Sequence, residues 1–192
     1  MYSNHRTRDV ADDGIPRLLP GVLRVTEAGP TVREALPTDA GAVSAAWLDA
    51  ARYYEALDSR RFRVPSDAGI VDWLSGLLER ERGEDELWIV VEIGGRVVGD
   101  LIASLARPST DAAFQLMRDL GETVLRIDAL AVLETDRRRG AGTALMRAAE
   151  AWGRERGATR TFLTTAARSE LSIPFYEHLG YEQVSVGLWK LL

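Results

Sequence analysis

Apolar side chains fall into two alternating rhythms along this chain. In "PTDAGAVSAAWLDAARYYEAL" they recur at helical spacing behind Thr38 or Asp39, either of which suits an N-cap, so a first helix is predicted there. A second helix is predicted over Ser66 to Arg82, where Ile70, Trp73, Leu74, Leu77 and Leu78 recur at intervals of three and four before Gly83. "ELWIVVEIGGRVVGDLIASLA" then breaks that rhythm with two β-branched runs around Gly94-Gly95, a dipeptide that tolerates the positive φ angles of a tight hairpin.

Pro108 to Gly121 carries a Ser/Thr cap, apolar Phe114, Met117 and Leu120, and a closing glycine, which predicts a short helix inserted between strands. "ETVLRIDALAVLE" reads as a long strand, "GAGTALMRAAEAWGRERG" as a helix closed by Gly157, and "TRTFLTTAA" as another strand. "SELSIPFYEHLG" has Pro174 in its first turn and Gly180 after its end, the marks of a short helix, and "YEQVSVGLWKLL" reads as one or two closing strands. Ahead of the first helix, Val22 to Thr26 and Thr31 to Leu36 are short strand-like runs, while residues 1–21 show no period and read as a flexible leader. The expectation is a leader over 1–21 and a single α/β domain over 22–192, with a mixed sheet because hairpins and crossover helices both occur.

At 192 residues and 46% hydrophobic content, the chain has enough apolar material for one core. Its net charge of -5 argues against a nucleic-acid or anionic-membrane binder, which neutralises phosphates with surplus Lys and Arg. Cysteine is absent, so disulfides, thiolate nucleophiles and sulfur metal sites are excluded, and a cytoplasmic location fits. His5 and His178 are the two histidines, too few for a Ser-His-Asp arrangement with alternatives or an HExxH zinc site, so no metal is expected. No apolar run is long enough to span a bilayer, and the first residues lack the apolar core of a secretory signal.

Against this acidic background, "LAVLETDRRRGAGTALMRAAEAWGRERG" concentrates positive charge between a strand and a helix. A turn with little side-chain bulk there lets main-chain N–H groups converge, and the helix start adds its positive dipole end, which together bind phosphate. Gly140 and Gly142 clear the approach, and Arg137, Arg138 and Arg139 supply charge-assisted donors. The alternative is a solvated turn with ordinary loop glycines. A P-loop would need Gly-Lys-Ser/Thr, and a dinucleotide fingerprint needs a third small residue where Leu145 stands, so neither motif applies.

With Arg137-Arg138-Arg139-Gly140-Ala141-Gly142, the chain resembles the GCN5-related N-acetyltransferases, the GNAT family, whose phosphate loop reads Arg/Gln-x-x-Gly-x-Gly/Ala. "TVREALPTDAGAV", "LAVLETD" and "SIPFYEHLGYEQV" fall in the family's order, so the likeness covers about Thr31 to the C-terminus. It implies the GNAT fold: a central mixed, mostly antiparallel sheet flanked by helices, with a splayed parallel pair of strands holding acyl-CoA. By the same likeness the amides from Arg138 to Thr143 would hold the acetyl-CoA pyrophosphate, and Leu130, Ala131 and Val132 would pair with the pantetheine arm. The arginines would remain for the 3′-phosphate. Three departures stand out: Glu134 where the family often has Pro, Arg138 where it often has Gly, and Ser169 where it often has Asn contacting the cofactor or capping the last helix. Serine still caps and donates one hydrogen bond.

Direct acyl transfer to an amine needs a neutral amine, a stabilised oxyanion and a proton for the leaving thiolate, but no covalent enzyme nucleophile. Tyr176 matches the family's tyrosine beside the CoA sulfur, the candidate general acid; packing of the last helix is its alternative role. Asp128 is the best-placed carboxylate for a base, sharing strand parity with Leu130 and Val132, and a paired structural carboxylate is the competing reading. Glu92 and Glu122 are its rivals, while Phe175 and Tyr181 are assigned to packing. Trp47, Tyr53, Tyr54 and Trp73 are candidates to line an acceptor pocket, and the 108–121 insert is the preferred substrate-selecting element. The first functional expectation is an N-acetyltransferase acting on a small-molecule or peptide amine, with the acidic total favouring a cationic one. A non-transferring acyl-CoA sensor of the same fold is the second and an unrelated nucleotide binder the third. No nucleic-acid or membrane partner is expected, and homodimers are common among similar proteins.

Overall fold

The computed structural model describes residues 29–190, so the 1–21 leader, the run Val22 to Thr26 and His5 lie outside the described residues. Five strands form one sheet in the order β1 (Thr31–Glu34), β2 (Glu86–Ile93), β3 (Arg96–Ala106), β4 (Val124–Val132) and β5 (Arg160–Leu163). The first three pairings are antiparallel and β4–β5 is parallel, which makes the sheet mixed as expected. The β2–β3 turn falls on Gly94 and Gly95, whose φ angles of 60° and 75° disfavour any residue with a Cβ.

Four helices cover both faces: α1 (Ala40–Leu57) and α2 (Ile70–Glu79) on one side, α3 (Ala141–Glu155) and α4 (Ser172–His178) on the other. Alternation along β2 explains the two cores. Leu87, Ile89, Val91 and Ile93 meet Leu145, Met146 and Ala149 of α3, while Trp88 and Val90 meet Val43, Leu74 and Leu78 beneath α1 and α2. Fully burying a side chain such as Leu145 stabilises the fold by about 2 kcal/mol. Among the described residues no helix is long and apolar enough to cross a membrane.

Four expectations need correction. Asp39 holds the N-cap position of α1, but its side chain does not cap the helix: the residue ends a 3-10 turn over Pro37–Asp39, and its carboxylate accepts the Leu36 amide at 2.8 Å and the Arg33 fork at 2.7 and 2.9 Å. The second helix is shorter than the span expected from Ser66 to Arg82: it runs Ile70–Glu79, which holds every apolar position of the pattern, and leaves Trp73 half exposed. Residues 108–121 form two 3-10 turns, Ala112–Phe114 and Arg118–Gly121, instead of a helix. Phe114, Leu116 and Met117 there face solvent, and a short amphipathic pattern with no core to meet does not hold a helix. The closing strands are also absent: residues 181–190 join no ladder, and Val184, Val186 and Leu188 are exposed.

Candidate functional site

Strands β4 and β5 pair from Val124–Arg160 to Ile127–Leu163 and then part. At the same place the β3–β4 register steps from Ala103↔Ile127 to Ile102↔Ala129, so Asp128 is the extra residue of a bulge. From there to Val132, β4 has no partner strand on its β5 side. A cleft of about 290 Å³ opens at the parting, floored by Ile127 to Ala131 and bounded across from them by Leu163 to Ala166. It passes between the two faces of the sheet: Tyr176 of α4 lines it from one, and Trp47 and Tyr54 of α1 with Arg61 and Phe62 line it from the other.

The bulge corrects the parity expected for Asp128. Leu130 and Val132 turn into the α3-side core, whereas Asp128 sits on the α1 side and accepts the Ser104 hydroxyl at 2.7 Å, with Arg126 3.9 Å away. Local sequence could not reveal this, because a bulge is defined by the neighbouring strand. Asp128 still lines the cleft together with Tyr176. Burial pushes the Tyr176 phenol pKa far up, with the nearby Tyr54 adding to the shift, so the hydroxyl stays protonated in neutral solution. The rival carboxylates are engaged elsewhere: Glu92 accepts Arg33, and Glu122 accepts Arg160 at the far end of the sheet.

Beyond Val132 the chain makes a 3-10 turn, Glu134–Asp136, and enters α3 through the glycine loop. Arg138 and Gly140 adopt φ of 64° and 85°. The amides of Arg138, Gly140, Ala141, Gly142 and Thr143 donate no hydrogen bond to any group among the described residues, and they lie in and just before the first turn of α3. A Cβ on Gly142 would lie 3.1 Å from the Phe175 ring, so glycine here lets α4 pack closely on the start of α3. An amide nest at a helix N-terminus fits a diphosphate, and the partnerless stretch of β4 leading to it fits an extended amide-bearing arm.

The three arginines do not act alike. Arg139 pairs with the buried Asp136 at 2.9 Å, joined there by Arg96 at 3.0 Å, and Arg137 donates to the Val132 carbonyl at 3.3 Å. These two brace the loop, and Arg138 is the one whose guanidinium has no protein partner among the described residues. Burial opposes ionisation of Asp136, but hydrogen bonds from Thr135 and Arg96 and the charges of Arg96 and Arg139 outweigh it and hold its pKa below the ordinary value. Asp136 and Arg96 went unnoticed in the sequence; a lone Asp before an arginine run was the available signal. The Glu134 amide donates to Asp49 of α1 at 3.0 Å, a bond that proline at this position would abolish.

Tyrosines of α1 tie this wall of the cleft to α4. The Tyr53 hydroxyl is 3.0 Å from Ser169 Oγ, and Tyr54 bridges Thr165 and Ser172 at 3.3 and 3.1 Å. Ser169 is buried and accepts the Ser172 amide at 2.9 Å, so it caps α4. Trp47 is held by Asp100 of β3, whose Oδ2 accepts both the Trp47 and Trp88 indoles at 3.1 and 3.0 Å. Asp100 is fully buried, and its Oδ1 has no partner among the described residues. Burial pushes its pKa up to about 7, with the two indole bonds pulling the other way. Tyr53 and Trp73 do not line the cleft, and neither does any residue of 108–121, which sits at the β4 start, about 27 Å along the strand from the nest. The insert expected to select substrate thus contributes no residue to the cleft wall.

A family model described as "Acetyltransferase (GNAT) family" matches residues 46–181. Among solved structures, a transcriptional regulator from Bacillus halodurans C-125 aligns at 22% identity and TM-score 0.62, covering 85% of this chain and 99% of that one. An acetyltransferase of Trypanosoma brucei aligns at 21% identity and TM-score 0.58, with coverage of 85% and 99%. An aminoglycoside acetyltransferase from an uncultured soil metagenomic sample, in complex with sisomicin, aligns at 18% and 0.53, covering 85% and 96%. At such identities the likeness carries the fold alone. No curated protein matches the sequence.

Proposed function

The chain belongs to the GNAT acetyltransferase family, and on that premise we propose that it transfers the acetyl group of acetyl-CoA directly to a small-molecule amine. The observation that carries the reading is the set of amides of Arg138 and of Gly140 to Thr143, without a bond among the described residues, at the end of β4 beyond the cleft that Tyr176 and Asp128 line. The amides and Arg138 would hold the diphosphate, and Leu130, Ala131 and Val132 would receive the pantetheine arm along the unpaired side of β4. Bound there, acetyl-CoA supplies an activated thioester carbonyl. Asp128 takes a proton from the acceptor ammonium, directly or through water, and leaves a neutral nitrogen. The amine nitrogen bonds to the acetyl carbon, the carbon–sulfur bond breaks as Tyr176 gives its proton to the departing sulfur, and the second proton that the nitrogen sheds passes through water to the Tyr176 oxygen, while Asp128 releases its own to solvent. A phenol whose pKa is raised keeps that proton until it is needed.

Thiol release from acetyl-CoA, followed across amino acids, polyamines, aminoglycosides and peptides, tests the reading. Saturable release that depends on an amine supports it. Tight CoA binding with no release under any amine would assign the chain to sensing instead.

A further inference from the structure

Charge enters the cleft at two places. Of the side chains that line it, Arg61 and Asp128 are the charged ones, they have opposite signs, and both stand on the α1 side of the sheet. Arg61 is fixed in the turn that follows α1, where its amide and that of Phe62 both donate to the Asp58 carbonyl, at 3.1 and 3.0 Å. Its neighbour Arg60 is paired with the Asp58 carboxylate at 3.1 Å and lies over Trp189. Arg61 has no carboxylate within ion-pair distance among the described residues; its guanidinium rests 5.2 Å from the centre of the Phe62 ring. An uncompensated guanidinium on a cleft wall is a binding group for a carboxylate or another planar anion.

We propose that the acceptor is a small zwitterion, an amine carrying its own carboxylate, with the carboxylate on Arg61 and the amine at Asp128. The inference rests on the transferase reading and narrows its substrate class. Trp47, Tyr54 and Phe62 line the same cleft as the two charges, so the body joining amine to carboxylate is apolar or aromatic. A cleft of about 290 Å³, part of which the pantetheine thiol end takes, suits an amino acid or a short peptide and not a macromolecular surface. The chain's net charge of -5 points the other way, toward a cation. Distant surface charges, however, are screened beyond about 8 Å at physiological salt, whereas Arg61 would meet a polycation within the cleft and repel it. The local charge decides.

The test measures thiol release from acetyl-CoA with the full chain and three acceptor sets: L-amino acids, the carboxamides of the same amino acids, and α,ω-diamines. Loss of one charge-assisted contact changes kcat/KM about tenfold to a hundredfold. The best amino acid is therefore expected to exceed its carboxamide by at least about tenfold. Arg61→Glu should erase that preference and raise diamine turnover, Arg61→Lys should restore part of it, and the acetyl-CoA KM should hold steady in both variants. Equal turnover of amino acid and carboxamide by the unaltered protein, or a preference indifferent to Arg61→Glu, overturns the zwitterion proposal and leaves the transferase reading standing. Absence of release with all three sets, while calorimetry still detects CoA binding, overturns both.

Discussion

Arg138→Gly separates stability from ligand binding at one residue. Arg138 holds φ at 64°, in the left-handed region that costs an L-residue with a Cβ about 1–2 kcal/mol. Glycine removes that strain but gives the unfolded chain extra freedom worth about 0.4–1 kcal/mol. The net expectation is a gain of about 0.5–1 kcal/mol, or roughly 2–3 °C in Tm for a domain of this size. The guanidinium lost is the one arginine of the loop without a protein partner, so nothing in the fold offsets the gain. Beside a diphosphate in a water-rich site, one unit charge at about 4 Å contributes about 1 kcal/mol, which is about a fivefold weakening of CoA binding at low salt. High salt should shrink that difference. Calorimetric melting without ligand gives the first quantity, and titration with CoA at two salt concentrations gives the second. A variant that melts lower than the parent would refute the strain argument, and one that binds CoA equally well at low salt would remove Arg138 from the phosphate site.

Two further substitutions probe the cleft and its backing. Tyr176→Phe should lower kcat by about a hundredfold while leaving CoA affinity near the parent value, because general acid catalysis acts on the leaving thiolate and not on binding; an undiminished kcat would disqualify the phenol as the acid. Asp100 has a folded pKa of about 7 against about 3.9 for an unfolded chain. Between those values the folded protein keeps a proton that the unfolded one has released, so stability should fall as pH rises from about 4 to 7 and level off above, by up to on the order of 4 kcal/mol. Denaturant midpoints across that range should show the slope, and Asp100→Asn should flatten it; an identical slope in the variant would assign the effect to other groups.

Strands β1 to β5, the glycine hairpin, α3 and the glycine turn before it were legible in the sequence because each follows from local spacing and from residues that permit a specific backbone. The order "strand, arginine, glycine, helix" is itself a physical arrangement, so its amides could be expected before they were seen. Features created by distant neighbours were not legible. The bulge at Asp128 depends on how β3 aligns, and the failure of 108–121 to become a helix depends on there being no core beside it. Asp100 was readable in principle, as a lone carboxylate inside the apolar run "VVGDLIA", yet its two indole partners come from elements 12 and 53 residues away. Arg137 and Arg139 looked equivalent to Arg138 because sequence shows charge but not what already neutralises it.

The bond from the Glu134 amide to Asp49 has a thermodynamic consequence. It fastens the turn before the glycine loop to the same helix that supplies Trp47 and Tyr54 to the cleft. On the proposed function, donor and acceptor sites would lean on one rod, and their occupancies would be linked. Whatever factor the bound thioester adds to the amine's affinity, the amine must return in equal measure.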